Sequence, residues 1–223
     1  MNIKLLFSAV VKFLAGVLMI SLLLFIPAGT LYYPKAWLLL GVMFVPMLIL
    51  GIILMVKSPE LLAKRLNSKE KENTQKTVVA LSLLMFIAGF VVSALDFRFS
   101  WFPVPDFVSY IAAVIFILGY AIYGEVMREN AYLSRTVEVQ ENQKVIDTGL
   151  YGIVRHPMYT STLLIFLSVP LILGSLIGVV VFFAYPFIIG GRIINEEKIL
   201  TDGLNGYAEY KKKVKWRMIP FIW

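Results

Sequence analysis

The chain of 223 residues has no cysteine and a single histidine, His156. Disulfides, thiolate metal sites, cysteine nucleophiles and multi-histidine metal centres are therefore excluded, and no metal is expected. Charge is also scarce. Only 16% of residues are Asp, Glu, Lys or Arg, while 59% are hydrophobic. Soluble domains are nearer one quarter charged and half apolar. Familiar soluble-enzyme signatures are missing too: there is no G-x-G-x-x-G after a strand, no G-x-x-x-x-G-K-[ST], no G-x-S-x-G and no H-E-x-x-H. Any nucleotide-like cofactor has to be held by something other than a Rossmann domain.

What the chain does have is long apolar runs, and these place it among integral membrane proteins. The first runs from 7 to 28 and ends at Pro27 and Gly29; without a small-residue cleavage site it reads as a retained helix. A turn with Tyr32, Tyr33 and Pro34 leads to a second run, 36–56, interrupted by Pro46. The segment 57–76 turns polar, with Ser58-Pro59-Glu60 as a helix start and Leu61, Leu62 and Leu66 as one stripe, which predicts an amphipathic interfacial helix. A third run spans 77–95, a loop with Trp101, Pro103 and Pro105 follows, and a fourth run spans 107–127. After a polar insert, 130–157, residues 159–194 are apolar for too long to cross once. Gly174-Ser175 marks the turn of a tight helical hairpin there.

The expected fold is thus an all-α integral membrane protein with about six transmembrane helices, five being the alternative. Charge placement favours six. With both termini in the cytoplasm, all of the 21 basic residues except Lys35 and Arg98 lie inside, as the positive-inside rule requires. Five crossings would move the charges between Arg192 and Arg217 outside. The basic tail, Lys211 to Arg217, then reads as an orientation signal touching anionic lipid rather than a nucleic-acid patch. A division at 128/129 separates a membrane body, 1–128, from a catalytic core, 129–223, comprising insert, hairpin and C-terminal segment.

Two polar clusters could carry chemistry. One is the turn-rich stretch 148–159, with Gly149, Tyr151, Gly152, Arg155, His156, Pro157, Met158 and Tyr159. The other is Arg192 with Glu196 and Glu197 at the end of the last apolar run. Arg192 and Glu196 are four apart and share a helix face. An ionisable residue at the end of such a run is costly and usually faces the protein interior. Glu125 and Arg128 read as a local ion pair, and Asp96 and Asp106 as non-catalytic.

These clusters, followed by Tyr207-Ala208-Glu209-Tyr210-Lys211-Lys212 and Ile219-Pro220-Phe221, resemble the isoprenylcysteine carboxyl methyltransferase family and its prokaryotic relatives. Phospholipid methyltransferases share the core motif, and the resemblance covers about the last 90 residues. It implies an integral membrane enzyme that uses S-adenosyl-L-methionine, held between insert and C-terminal segment, to methylate a lipidic or prenylated substrate, small molecule or protein. It further implies cofactor contacts from Gln143, Lys144, Val145, Ile146, Tyr151, His156, Pro157, Met158, Tyr159 and Glu196. Thr136 falls where the family has another contact, usually with a different side chain. Arg192 falls at the position that engages the substrate carboxylate. The expected setting is a prokaryotic plasma membrane with the active site on the cytoplasmic face, membrane lipids as partners and no nucleic acid. Alternatives are an N-methyltransferase acting on a lipid amine, with Glu125 or Glu196 as base, an NADPH-dependent membrane reductase, and a non-catalytic transporter or scaffold.

Overall fold

The computed structural model describes residues 3–67, 73–134 and 136–223. Among them every named element is helical: α1 (Ile3–Ala28), α2 (Pro34–Lys57), α3 (Pro59–Leu66), α4 (Asn73–Phe99), α5 (Asp106–Glu129), α6 (Pro157–Leu173), α7 (Leu176–Phe182), α8 (Tyr185–Gly203) and α9 (Tyr207–Lys213), with a 3₁₀ turn at Gly149–Gly152. The four runs before the insert become α1, α2, α4 and α5, of 26, 24, 27 and 24 residues. At 1.5 Å per residue each exceeds the roughly 30 Å of bilayer hydrocarbon. Helices α7 and α8 together form a fifth stretch of crossing length, 28 residues from Leu176 to Gly203. Apolar α6 is shorter, with 17 residues. This is a multi-pass membrane protein with five membrane-length helices and one shorter partner.

The hairpin forms where Gly174 adopts φ +78°, a conformation glycine reaches without a Cβ penalty, and there it closes α6. Its tip is pinned from two sides. The buried Asp96 carboxylate accepts from the Ser175 hydroxyl at 2.5 Å and from Phe102 N–H at 2.7 Å. The Tyr33 hydroxyl donates to the Leu173 carbonyl at 2.8 Å. One feature departs from a simple hairpin: the returning arm breaks between Phe182 and Tyr185. Pro186, which has no N–H for the ladder, sits in the first turn of α8 and accounts for the break.

Helix α6 packs most extensively on α5, and α4 packs on α1, α7 and α8. The shared core includes Leu24, Leu39, Phe116, Ile172, Phe182 and Ile193. Of the polar segment 57–76, α3 provides the amphipathic helix, with Leu61 and Leu62 buried in a second cluster beside Val126 and Tyr151; residues 68–72 lie outside the described residues. The insert between α5 and α6 stays irregular apart from its 3₁₀ turn, and Val137, Glu138 and Val139 join no ladder. The insert is held by its neighbours. Arg65 on α3 donates to the Ser134 carbonyl at 3.0 Å and also bonds the Tyr123 hydroxyl.

Candidate active site

Helix α6 starts at Pro157, so His156 is its N-cap residue and the preceding turn delivers Tyr151, Arg155 and His156 to one end of the bundle. That turn is fixed by two contacts the sequence does not advertise. Glu129, closing α5, accepts from Leu150 N–H at 3.0 Å. Gly149 has φ +56°, and a Cβ there would stand 1.7 Å from Glu129 Oε1. Only glycine fits. On the other side the C-terminal segment pairs with the turn through its backbone: Arg155 N–H donates to Trp216 O at 2.9 Å and His156 N–H to Arg217 O at 2.8 Å.

Helix α8 brings Arg192, Glu196 and Glu197 to the same place. The Tyr159 hydroxyl donates to Glu196 Oε2 at 2.5 Å and accepts from Arg192 Nε at 2.8 Å. The chain Arg192–Tyr159–Glu196 therefore joins the two sequence clusters through one phenol. His156 lies beside it, Nδ1 3.9 Å from Glu196 Oε1, with its ring stacked at 5.7 Å on that of Tyr159. Glu197 points the other way and is buried. It accepts from Arg155 Nε at 2.6 Å and Arg217 Nε at 3.0 Å, and its Oε1 is 3.3 Å from His156 Nε2. Arg155 also donates to the carbonyls of Val214 and Lys215, at 2.7 and 2.8 Å. Such a buried charge is tolerable only when matched this completely.

Between the insert, α8 and α9 lies an open cleft. Thr136, Gln143, Lys144, Val145, Ile146, Tyr151, His156, Met158, Tyr159, Arg192 and Glu196 all line it. Pro157 does not; it is buried at the start of α6. The wall combines apolar side chains such as Leu133, Val145, Leu200 and Leu204 with the polar set around Glu196. Leu200, Leu204, Tyr207 and Tyr210, which also line it, drew no assignment from sequence, although the two tyrosines stood in the resemblance motif. Burial pushes the Tyr151 phenol up to about 12 and those of Tyr207 and Tyr210 higher still, so all three are neutral at physiological pH.

The cleft can thus hold a ligand with an apolar, flat portion and a cationic or hydroxylated portion, the latter facing Glu196. The buried Tyr207 hydroxyl, without a hydrogen-bond partner among the described residues, provides a polar group for such a ligand to satisfy. Glu125 does not line the cleft and binds Arg128 at 2.5 Å, the local pair expected of it.

Residues 108–204 match the family model described as phospholipid methyltransferase. Among solved structures the chain is similar to that of the eukaryotic intramembrane Ras methyltransferase ICMT, isoprenylcysteine carboxyl methyltransferase, with a TM-score of 0.60. That likeness covers 96% of this chain and 77% of the other at 19% identity, which shows a common fold. Among curated proteins no sequence relative matches.

Proposed function

We propose that the chain is a membrane methyltransferase, a reading supported by the match of residues 108–204 to the phospholipid methyltransferase model and by the fold shared with isoprenylcysteine carboxyl methyltransferase, and that it methylates the carboxylate of a lipidic, isoprenylcysteine-like substrate. The methyl donor in this reading is S-adenosyl-L-methionine, which when bound supplies a methyl group already activated on a sulfonium. A carboxylate is ionised and nucleophilic at neutral pH, so the protein need supply no general base. Its task is orientation: oxygen, methyl carbon and sulfur must be held in line at near-attack distance.

The observation that carries the reading is the Arg192–Tyr159–Glu196 chain at the wall of the cleft. Arg192 has a planar fork suited to orienting a carboxylate. Tyr159 holds that fork through its Nε, so the guanidinium does not have to be ordered when substrate arrives. Glu196 presents a carboxylate to the cationic or hydroxylated part of the donor, with His156 beside it. Thr136, Gln143, Lys144, Val145, Ile146, Tyr151 and Met158 supply the remaining walls, while Pro157 sets the start of α6 behind them. Residues 129–223 are the catalytic core in this account, and 1–128 the membrane body. The basic bias supports a cleft on the cytoplasmic face, where a soluble donor reaches it, and the membrane in this account is a prokaryotic plasma membrane.

A second reading, N-methylation of a phospholipid amine, is favoured by the description of the matching family model. It needs a deprotonated amine and hence a base. Glu196 stands in the cleft for that role, whereas Glu125 is bound to Arg128 away from it. Acceptor assays with a farnesylated cysteine analogue and with phosphatidylethanolamine separate the two. A thermal shift with S-adenosylhomocysteine tests the donor: stabilisation is expected, and silence with S-adenosylhomocysteine alongside a shift with NADPH would replace the methyltransferase reading by a reductase.

A further inference from the structure

Five tyrosines line the cleft, and four have internal partners for their hydroxyls. Tyr132 donates to Asn142 O, Tyr151 accepts from Asn130 Nδ2, Tyr159 joins Arg192 to Glu196, and Tyr210 donates to Tyr151 O at 2.7 Å. Tyr207 is the exception. Its side chain is 4% exposed, and its hydroxyl is fully buried with no hydrogen-bond partner among the described residues. Natural structures rarely leave a buried hydroxyl in this state, and those that do commonly reserve it for a ligand or an ordered water. Resting on the methyltransferase reading above, we propose that the Tyr207 hydroxyl is a binding contact for the nucleoside part of the methyl donor, pairing with a neutral acceptor such as a ribose oxygen or an adenine ring nitrogen.

Two features of the surroundings select that acceptor. The cleft beside Tyr207 is apolar, formed by Val145, Leu200 and Leu204 with the Tyr210 ring at 5.6 Å, which suits the flat face of a base. Burial first, and then the carboxylates of Glu197 and Glu196 against the opposing Arg155 guanidinium, keep the phenol a neutral hydrogen-bonding group. The apolar wall beside it disfavours burial of an anionic acceptor, so the amino-acid carboxylate of the donor is not the partner. Position also matters: Tyr207 opens α9 directly after the αL residue Gly206, φ +84°, so its place on the wall is set by the backbone.

The test compares Tyr207→Phe with Tyr210→Phe in the detergent-purified full chain. Calorimetry measures S-adenosylhomocysteine and the truncated nucleoside 5′-methylthioadenosine, and thermal melts are recorded without ligand. Removing an unpaired hydroxyl should leave the ligand-free melting temperature of Tyr207→Phe unchanged or raised, whereas Tyr210→Phe, which breaks an internal bond, should melt lower. Affinity of Tyr207→Phe should fall about tenfold for both ligands, the usual effect of one hydrogen bond. Unchanged affinity, or a loss confined to S-adenosylhomocysteine, overturns the assignment of Tyr207 to the nucleoside. A ligand-free melting temperature that falls as in Tyr210→Phe overturns it as well, because the hydroxyl would then have an internal role. Failure of the wild-type protein to bind either ligand instead rejects the methyltransferase reading itself.

Discussion

Replacing Glu197 by Gln keeps the shape of the side chain and removes its charge. In the native site one carboxylate accepts from Arg155 Nε at 2.6 Å and Arg217 Nε at 3.0 Å and has His156 Nε2 at 3.3 Å. An amide offers one oxygen and turns an N–H₂ group towards the other donor. Arg155 suffers most, because its side chain is only 5% exposed and its charge stays behind. Breaking a buried pair from one side costs about 3–5 kcal/mol. The carbonyls of Val214 and Lys215 still receive Arg155, which argues for the lower end, about 3 kcal/mol. Arg217 is one-third exposed and adds less than about 1 kcal/mol after screening by solvent. For a chain of this size that total lowers the melting temperature by roughly 6–16 °C. Because Arg155 and Glu197 together hold the C-terminal segment, amides between Val214 and Met218 should also exchange faster. Melting in detergent and hydrogen exchange read both effects. An unchanged melting temperature with undiminished protection at 214–218 would refute the idea that this ion cluster ties the C-terminal segment to α8. Exchanging Arg155 and Glu197 together for apolar side chains should cost less than the sum of the single changes, since the only charge left without its partner is the part-exposed Arg217.

Gly149→Ala should lower affinity for S-adenosylhomocysteine at least tenfold, because the new Cβ collides with Glu129 and displaces the turn that carries Tyr151; calorimetry checks it, and unchanged affinity would mean that Glu129 can swing away. Asp96→Asn at the hairpin tip should cost about 1–3 kcal/mol of stability, by replacing an acceptor of two buried hydrogen bonds, and leave S-adenosylhomocysteine affinity unchanged. The raised phenols also set an alkaline limit. A group whose folded pKa lies above its unfolded value contributes stability that is complete below pH 10 and lost as pH rises through the folded pKa, about 12 for Tyr151. Stability should therefore fall beyond pH 10. Tyr151→Phe should remove part of the fall, and a Tyr151 phenol found titrating at pH 10 in the folded protein would contradict the burial argument.

The membrane body was the legible part of the sequence, because long apolar runs have one physical outcome and Gly174-Ser175 is a strong breaker. The site was legible in part. Spacing put Arg192 and Glu196 on one face of α8, and every residue the resemblance assigned lines the cleft except Pro157, while Leu200, Leu204, Tyr207 and Tyr210 line it unassigned. The Tyr159 hydroxyl between Arg192 and Glu196 joins positions 33 and 37 residues apart, and periodicity says nothing of such pairings. Glu129 carries no sequence signal, because its bond to the turn after Gly149 depends on the way the insert folds back. Net charge describes the basic tail as one surface set, but Arg217 leaves that set to bond Glu197 and lies over the Trp223 ring at 5.0 Å. Backbone pairing of Arg155 and His156 with Trp216 and Arg217 is likewise invisible in side-chain patterns, since it uses only N–H and C=O groups.

The central claim is that Arg192 orients the acceptor carboxylate for transfer from S-adenosyl-L-methionine. Methyl transfer from labelled S-adenosyl-L-methionine to a farnesylated cysteine analogue, measured alongside S-adenosylhomocysteine affinity in wild-type protein and Arg192→Ala, tests it most directly. The account predicts turnover by the wild type and its loss by at least about a hundredfold in Arg192→Ala, with the variant still folded, membrane-inserted and able to bind S-adenosylhomocysteine. Wild-type turnover in Arg192→Ala would contradict it.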